Sequence, residues 1–396
     1  MGRIATSSAV DATALAAAGH RRKRLERLLR LALAYRDCSR KELARTLGRD
    51  PTKLIPGTGI PKLDLVVELA TVLDWPVGHV VEYLWSAPTG NRQVNDGDGA
   101  LASTTGADDV REMLRLRGNG RYLDIVAKVT HGLNEPGLSP ARRRTLRSTL
   151  AEAYYALWSL VESLAVARDL VETYRSAAPR TRQDRKTHAM ALYLSGQTQR
   201  RLVSIEPRRA RPLASSARRD LQQSLALCRR LALERDDAAL EGMINTCIGA
   251  MIETDVAIGS RRPSDGLAQL LSGLDQTRDT AALCPERLES YGWWCIYGCN
   301  IALRHLDDER ELQQKMAVFT NKADEISEKL DDWALRERVF TMQHTQWERA
   351  AGSTGFRIPC VIDNDDVRVI TGAMGRFPCF RATGWRILDS AQILGG

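Results

Sequence analysis

The sequence predicts an all-α chain in which a small N-terminal helical bundle precedes a longer right-handed solenoid of paired helices. Apolar residues recur at helical spacing along most of the chain, and no segment alternates convincingly as a strand does. Only 14 prolines interrupt this pattern. A stretch rich in small polar residues separates two helical regions. We therefore expect a flexible arm over residues 1–19, a compact bundle over 20–85, a linker over 86–108 and helical repeats over 109–396.

Composition limits the classes of partner and compartment. The chain has 396 residues, of which 43% are hydrophobic and 27% charged, as in ordinary globular proteins. Its net charge of +8 suits a polyanionic partner. The 8 cysteines form no C-x-x-C pair and the 6 histidines are isolated, so we expect no metal site and no cofactor. Free thiols, and the lack of a bilayer-spanning apolar run or a signal-peptide pattern, predict a cytoplasmic protein without a membrane partner.

The N-terminal bundle begins with a strongly basic helix. The segment "RRKRLERLLRLALAYRD" combines a broad apolar face with a cluster of arginines and a lysine at its start. Positive charge is disfavoured at a helix N-terminus because of the helix dipole. We therefore expect these cations to serve another purpose, such as contact with phosphate.

A second helix follows, with clear start and stop signals. Ser39 and Glu42 match the capping-box pattern S-x-x-E, and Gly48 stands where a helix ends in a left-handed residue. Asp50 and Pro51 then predict the cap and first turn of a third, short helix with the sequence "PTKLI".

The segment "SRKELARTLGRD", followed by "LDLVVELATVLDWPVGHVVEYL", resembles the Cro-repressor (XRE) family of helix-turn-helix domains. This resemblance covers the N-terminal bundle only. It implies binding to double-stranded DNA, with the third helix in the major groove and the second crossing the backbone, and a homodimer that reads paired half-sites. It implies phosphate contacts from Ser39, Arg40 and Lys41, and contacts with base edges or phosphate from Arg49, Thr52 and Lys53.

The chain departs from the family pattern at the third helix. Pro56 lacks a backbone donor and disfavours a helical conformation in the residue before it. The reading helix is therefore expected to be short, with modest base discrimination. An alternative is a degenerate module that serves packing or dimerisation and does not bind DNA.

The segment "TLAEAYYALWSLVESLAVARDLVETYR", residues 149–175, resembles a tetratricopeptide repeat (TPR). Its landmark positions are Ala151, Tyr154 and Leu157 on the first helix and Leu160, Ser163 and Ala167 on the second. Trp158 stands where the family has glycine after the first helix. Later helix pairs follow this pattern more loosely and with longer helices, and "FPCFRATGWRILDSAQIL" is expected to close the solenoid.

Solenoids of this kind bind peptides or proteins in a concave groove. The candidate groove residues are polar or aromatic side chains on the first helices: Tyr155, Gln197, Asn245, Tyr297, Asn300 and Gln343. The alternative is that these side chains only form solvated helix surface. An asparagine in such a groove can both donate to and accept from a peptide backbone.

Enzymatic chemistry has little support in the sequence. We find no nucleophile–base constellation, no metal-ligand spacing and no phosphate loop, so we expect a non-enzyme. The acids of "IDNDDVR", Asp363, Asp365 and Asp366, predict a helix cap and surface charge. The sequence thus favours a DNA-binding transcriptional regulator whose TPR-like region senses a peptide or protein partner. The alternative is a TPR-like interaction scaffold whose helix-turn-helix module does not bind DNA.

Overall fold

The computed structural model describes residues 7–56, 61–85, 112–113, 115–275, 283–354 and 361–393. Within these ranges every regular element is helical, which confirms the predicted all-α class. The chain divides into two compact units: unit 1 takes residues up to 98 and from 355 onward, and unit 2 takes 99–354. None of the described helices combines the length and apolar character needed to cross a membrane. The predicted linker lies outside the described residues.

The helices are numbered in chain order. In the first part of unit 1 they are α1 (Ser7–Arg36), α2 (Arg40–Thr46), α3 (Leu63–Leu73) and α4 (Val77–Trp85). In unit 2 they are α5 (Tyr122–Leu133), α6 (Pro140–Ala156), α7 (Leu160–Ser176), α8 (Arg182–Ile205), α9 (Ala210–Glu234), α10 (Ala238–Ile258), α11 (Pro263–Leu274), α12 (Pro285–His305), α13 (Glu309–Leu330) and α14 (Trp333–Thr354). Unit 1 is completed by α15 (Asn364–Arg376) and α16 (Arg381–Ser390). Residues 115–118, before α5, are also helical.

Helix α1 is longer than the sequence predicts. It begins at Ser7, so residues 7–19 are helical in a segment expected to be a flexible arm. This segment is rich in alanine, the residue with the highest intrinsic helix propensity, which accounts for the extension.

The predicted cap of α2 is confirmed. The Ser39 side chain accepts from the Glu42 backbone N–H, and the Glu42 carboxylate accepts from the Ser39 backbone N–H, which completes a capping box. Gly48 has a φ of +60°, the left-handed conformation predicted at the end of this helix.

The third helix predicted over "PTKLI" is absent, and residues 51–55 form turns and bends. Asp50 does act locally, but its carboxylate accepts from the Thr52 backbone N–H at 2.8 Å and so closes a turn. With Pro56 disfavouring helix at the far end, the segment is too short to offset the cost of helix nucleation. The prediction of a third, reading helix is therefore wrong.

The C-terminal helices belong to unit 1. The sequence predicts that the last segment closes the repeat array, but α15 packs against α1 and α3. The indole of Trp385 stacks on Tyr83, with ring centroids 4.9 Å apart. Arg376 pairs with Asp74 at 2.9 Å. This segment is rich in large apolar residues, and it buries them in the core of unit 1. The Asp363 cap of α15 is formed as predicted, as a capping box with Asp366.

Unit 2 stacks helix pairs around an inner row. Each helix from α5 to α14 packs against its neighbour in sequence. In addition, α6, α8, α10, α12 and α14 contact one another in that order, so they form the inner row, and α7, α9, α11 and α13 lie outside it. The inner helices correspond to the predicted first helices of the repeat pairs.

Candidate functional sites

Of the six predicted DNA-contacting residues of unit 1, four make hydrogen bonds or ion pairs within the unit, and the two lysines make none with the described residues. Ser39 is engaged in the α2 cap, where its hydroxyl also donates to Glu42 Oε2 at 2.7 Å. These hydrogen bonds from Ser39 hold the pKa of the Glu42 carboxyl below its usual range. A Ser39 hydroxyl committed in this way has little capacity left for phosphate.

Three further candidates brace the turn that replaces the third helix. Arg40 donates from Nε to the Pro51 carbonyl at 3.1 Å. Arg49 forms an ion pair with Asp64 at the start of α3. Thr52 donates its hydroxyl to Asp50 Oδ1 at 2.5 Å. These contacts fix the path of the chain between α2 and α3.

The remaining two candidates, Lys41 and Lys53, are exposed. Lys41 lies in the first turn of α2, where the sequence predicts a phosphate contact, and Lys53 lies in the braced turn. Asp50, whose charge opposes that of a phosphate, is also exposed there, but its carboxylate is occupied by Thr52. Lys41 and Lys53 are thus the two predicted contacts whose side chains make no hydrogen bond or ion pair with the described residues.

Two arginines at the basic start of α1 make contacts within unit 1. The guanidinium of Arg27 lies 4.2 Å from the Trp385 ring centroid and pairs with Asp389. Arg22 pairs with Glu26 on its own helix at 3.1 Å. The phosphate role suggested by the sequence therefore competes with contacts to α16.

Unit 2 contains a cavity of about 170 Å³. Its walls are residues of the inner helices α6, α8, α10, α12 and α14, together with Arg117, Tyr122 of α5, and Trp158 and Asp332 from the turns before α7 and α14. Charged and aromatic side chains dominate the lining, in contrast to the apolar layer between the inner and outer helices.

One end of the cavity is acidic. Arg117 Nη2 lies 3.3 Å from Glu152 Oε1 and 3.9 Å from Glu289 Oε1. Burial and the nearby charge of Asp332 raise the pKa of Glu289 to about 7, although Arg117 and a hydrogen bond from Trp293 oppose the rise. Burial also raises the pKa of Asp332, whose carboxylate caps α14 through the Ala334 backbone N–H at 2.9 Å.

The other end is built from arginine and aromatic rings. Arg201 donates from Nη1 to the Tyr155 carbonyl at 2.9 Å. Its guanidinium carbon lies 3.7 Å from the centroid of the Tyr155 ring, 4.5 Å from that of Trp158 and 5.7 Å from that of Trp293. Burial lowers the pKa of Arg201. Arg338, from α14, lies 4.0 Å from the Trp158 ring centroid.

Trp158 adopts a strained backbone conformation between α6 and α7. Its φ is +63°, in the left-handed region that glycine adopts easily and a bulky residue rarely does. The TPR pattern has glycine at this position, which agrees with the observed φ. Here the position also supplies an indole to the cavity wall.

Two predicted groove residues, Tyr155 and Tyr297, line the cavity. Gln197 is fully buried and donates to the Tyr297 hydroxyl at 3.1 Å, so it holds the wall and is not part of the surface. The buried Arg200 accompanies them, with its guanidinium carbon 4.4 Å from the Tyr297 ring centroid. Arg200 in turn pairs with the buried Glu253 at 2.6 Å.

The other three candidates are not gathered into the same cavity. Asn245 donates to the Ser290 hydroxyl at 2.6 Å, between α10 and α12. Asn300 donates to Glu253 at 3.5 Å and lines a much smaller void of about 30 Å³. Gln343 is exposed on α14. These positions remain predictions as ligand contacts.

Several lining residues were not anticipated from the sequence: Arg117, Glu152, Trp158, Arg201, Glu289, Trp293, Asp332 and Arg338. One signal was present in α12. Glu289, Trp293 and Tyr297 are spaced four residues apart and so share one face of a helix that is otherwise largely apolar. An acid at one end of an aromatic row on a buried helix could have marked the cavity.

Comparisons with known proteins give one distant likeness. No family model matches the chain, and no curated protein matches it significantly. Among solved structures, the crystal structure of Bacillus thuringiensis PlcR in complex with the peptide PapR7 and DNA is similar at 13% sequence identity, with a TM-score of 0.39. That match covers 80% of this chain and 98% of the PlcR chain.

Proposed function

We propose that this protein is a cytoplasmic, homodimeric DNA-binding transcriptional regulator, and that its helical repeat senses a peptide or protein partner. The observation that carries the proposal is the surface of unit 1. There the start of α2 is built as in helix-turn-helix domains, with a complete capping box, and Lys41 projects from its first turn. Lys53 adds a second exposed cation on a chain of net charge +8.

The turn over residues 51–55 determines the kind of binding we expect. Without a third helix, few side chains can reach base edges in the major groove. Affinity then comes mainly from phosphate contacts, which position a protein on the duplex without reading its sequence. We therefore propose salt-sensitive binding with modest sequence preference.

The alternative function is a TPR-like scaffold whose helix-turn-helix module does not bind DNA. A specific observation favours it: Arg40, Arg49 and Thr52 are committed to contacts within unit 1. Under this alternative the module only completes the core of unit 1, and partner binding by unit 2 is the activity.

Fluorescence anisotropy with mixed-sequence duplex DNA, at several salt concentrations, separates the two functions. The regulator predicts an affinity that falls steeply as salt rises. The double variant Lys41→Glu/Lys53→Glu should weaken binding and reduce the slope of log K against log[salt] by about 2, since two phosphate contacts are lost.

A matched control is Arg229→Glu/Arg230→Glu, which changes the net charge equally at exposed positions of α9. This control should leave most of the binding intact. Absence of binding by the unmodified protein at about 50 mM salt, where non-specific DNA binding is strong, would contradict the regulator and leave the scaffold. Equal losses in the two double variants would indicate bulk charge rather than a site on unit 1.

A further inference from the structure

The size of the unit 2 cavity limits what it can hold. A volume of about 170 Å³ is close to that of an engineered cavity that accommodates a benzene molecule, roughly 150 Å³. An extended peptide or a protein segment does not fit inside it. The cavity is therefore not the binding site for the peptide or protein partner of the proposed function. Its size suits a small molecule.

The acidic end carries more negative than positive charge. Glu152, Glu289 and Asp332 all act on the guanidinium of Arg117, and Arg336 also acts on Asp332. The side chains of Arg117, Glu152 and Glu289 keep 46%, 27% and 35% of their surface accessible, so this is the end that a ligand can reach. An excess of carboxylates at an accessible cavity mouth favours a cationic group such as an ammonium.

The opposite end holds a buried cation that lacks an acidic partner. Arg201 is 5% exposed and has five N–H donors, of which one makes a hydrogen bond within the described part of the chain, to the Tyr155 carbonyl. Its cationic neighbours are neutralised: Arg200 pairs with Glu253, and Arg338 pairs with Glu337. No described carboxylate pairs with Arg201. A buried guanidinium in this condition favours an incoming anion, above all a carboxylate that it can bind with two parallel hydrogen bonds.

Trp293 connects the two ends. Its indole N–H donates to Glu289 Oε1 at 3.4 Å, and its ring centroid lies 5.7 Å from the Arg201 guanidinium carbon. The Trp293 indole thus borders both the acidic end and the unpaired arginine. This arrangement suits a short molecule that carries opposite charges at its two ends.

We propose that the cavity binds a small zwitterion of the size of a free amino acid or dipeptide, with its ammonium group at Glu152, Glu289 and Asp332 and its carboxylate at Arg201. The rings of Tyr155, Trp158 and Trp293 form the walls between the two charges. These rings exclude water and so strengthen both ion pairs. The proposal does not depend on DNA binding by unit 1.

The test is calorimetric titration of the full chain with the free L-amino acids and glycylglycine. We expect at least one of these to bind with a dissociation constant on the order of 1 mM or tighter. Its N-acetyl derivative and its C-terminal amide should each bind at least about tenfold more weakly, because each removes one of the two charged ends. These blocked compounds test the proposal on the unmodified protein.

Two variants assign the ends, each with a matched control. Arg201→Met should weaken the zwitterion but barely affect the C-terminal amide, and Arg230→Met at an exposed site of α9 should change nothing. Glu289→Gln should weaken the zwitterion but barely affect the N-acetyl form, with Glu328→Gln on the exposed face of α13 as its control. If Arg201→Met loses its helical circular dichroism, Arg201→Lys replaces it, since it keeps the charge but not the planar fork.

Three results would overturn the proposal: no saturable binding by any member of the panel, equal binding of the free and end-blocked forms, or binding that neither variant alters. DNA binding measured on the same preparations is independent of these outcomes. Failure of the cavity proposal can therefore be distinguished from failure of the proposed function.

Discussion

Trp75 donates its indole N–H to the backbone carbonyl of Thr371 at 2.9 Å, in a buried hydrogen bond between residues 296 positions apart in sequence. The bond joins the turn between α3 and α4 to α15 and sits beside the Arg376–Asp74 ion pair. Unit 1 therefore depends on a segment that lies beyond the whole of unit 2 in the chain.

Replacing Trp75 with phenylalanine should destabilise unit 1 by about 1–3 kcal/mol, because the buried Thr371 carbonyl loses the hydrogen bond from the indole. Hydrogen exchange of the α1 and α3 amides measures this loss locally. Trp85→Phe is the control, since Trp85 is 43% exposed at the end of α4. Equal protection in the two variants would show that the Trp75 hydrogen bond contributes little.

Gly375 should tolerate no side chain. A methyl group at this position would lie 2.5 Å from Trp75 Cδ1 and 3.1 Å from the Asp74 carbonyl. We expect Gly375→Ala to destabilise unit 1 by about 1–3 kcal/mol through overpacking, despite the better helix propensity of alanine. Gly78→Ala on α4 meets no atom within 4 Å and should be neutral or stabilising. Thermal unfolding of both variants checks this contrast, and a stabilised Gly375→Ala would refute the close approach.

Glu253 should be sensitive to loss of its charge. It is 2% exposed and lies 2.6 Å from Arg200 and 3.4 Å from Arg304. Glu253→Gln leaves the buried Arg200 without a counter-charge, which should cost about 3–5 kcal/mol. Denaturant unfolding followed by circular dichroism measures the loss against Glu328→Gln. A loss no larger than that of the control would mean that Arg200 finds another partner.

Glu289 should make the stability of unit 2 depend on pH. Its pKa rises from 4.5 to about 7 on folding, so the folded state holds an extra proton between these values and stability falls as pH increases through this window. The groups that face it are Asp332 and Glu152, which favour its neutral form, and Arg117 and the Trp293 N–H, which favour its charged form.

Glutamine cannot ionise, so Glu289→Gln should not lose this stability as pH rises. The free energy of unfolding of the variant, minus that of the unmodified protein, should therefore increase from pH 5 to pH 8. Denaturant unfolding at both pH values tests this difference, with Glu328→Gln as the control that shows no such change. A constant difference across the window would place the pKa of Glu289 near its ordinary value.

Local signals in the sequence predicted local structure well. The Ser39 and Asp363 caps, and the left-handed Gly48, depend on a few neighbouring residues, and each is found where expected. The prediction of a short helix after Asp50 is wrong for a reason that is also local. The Asp50 side chain satisfies the Thr52 N–H, and Pro56 disfavours further turns, so a non-helical turn wins.

What the sequence could not predict depends on long-range packing. Nothing within residues 364–390 indicates whether their apolar side chains cover unit 1 or the repeats, since both offer apolar surface. Likewise the sequence predicts Tyr155 and Tyr297 as groove residues, but it does not indicate that Arg117 and Arg201 line the same cavity. Whether an arginine faces solvent or a cavity depends on how the inner helices wind, and hydrophobic periodicity does not record this.

The division of unit 1 between the two ends of the chain has a consequence for biosynthesis. During translation, α1 to α4 are made first, yet α15 and α16, which supply Trp385 and the acceptor for Trp75, follow only after the whole of unit 2. Unit 1 therefore cannot complete its core on the ribosome while the repeats are still being synthesised. A chain interrupted within the repeats would carry Lys41 and Lys53 on an incomplete scaffold, so any activity of this surface is restricted to molecules translated past α16.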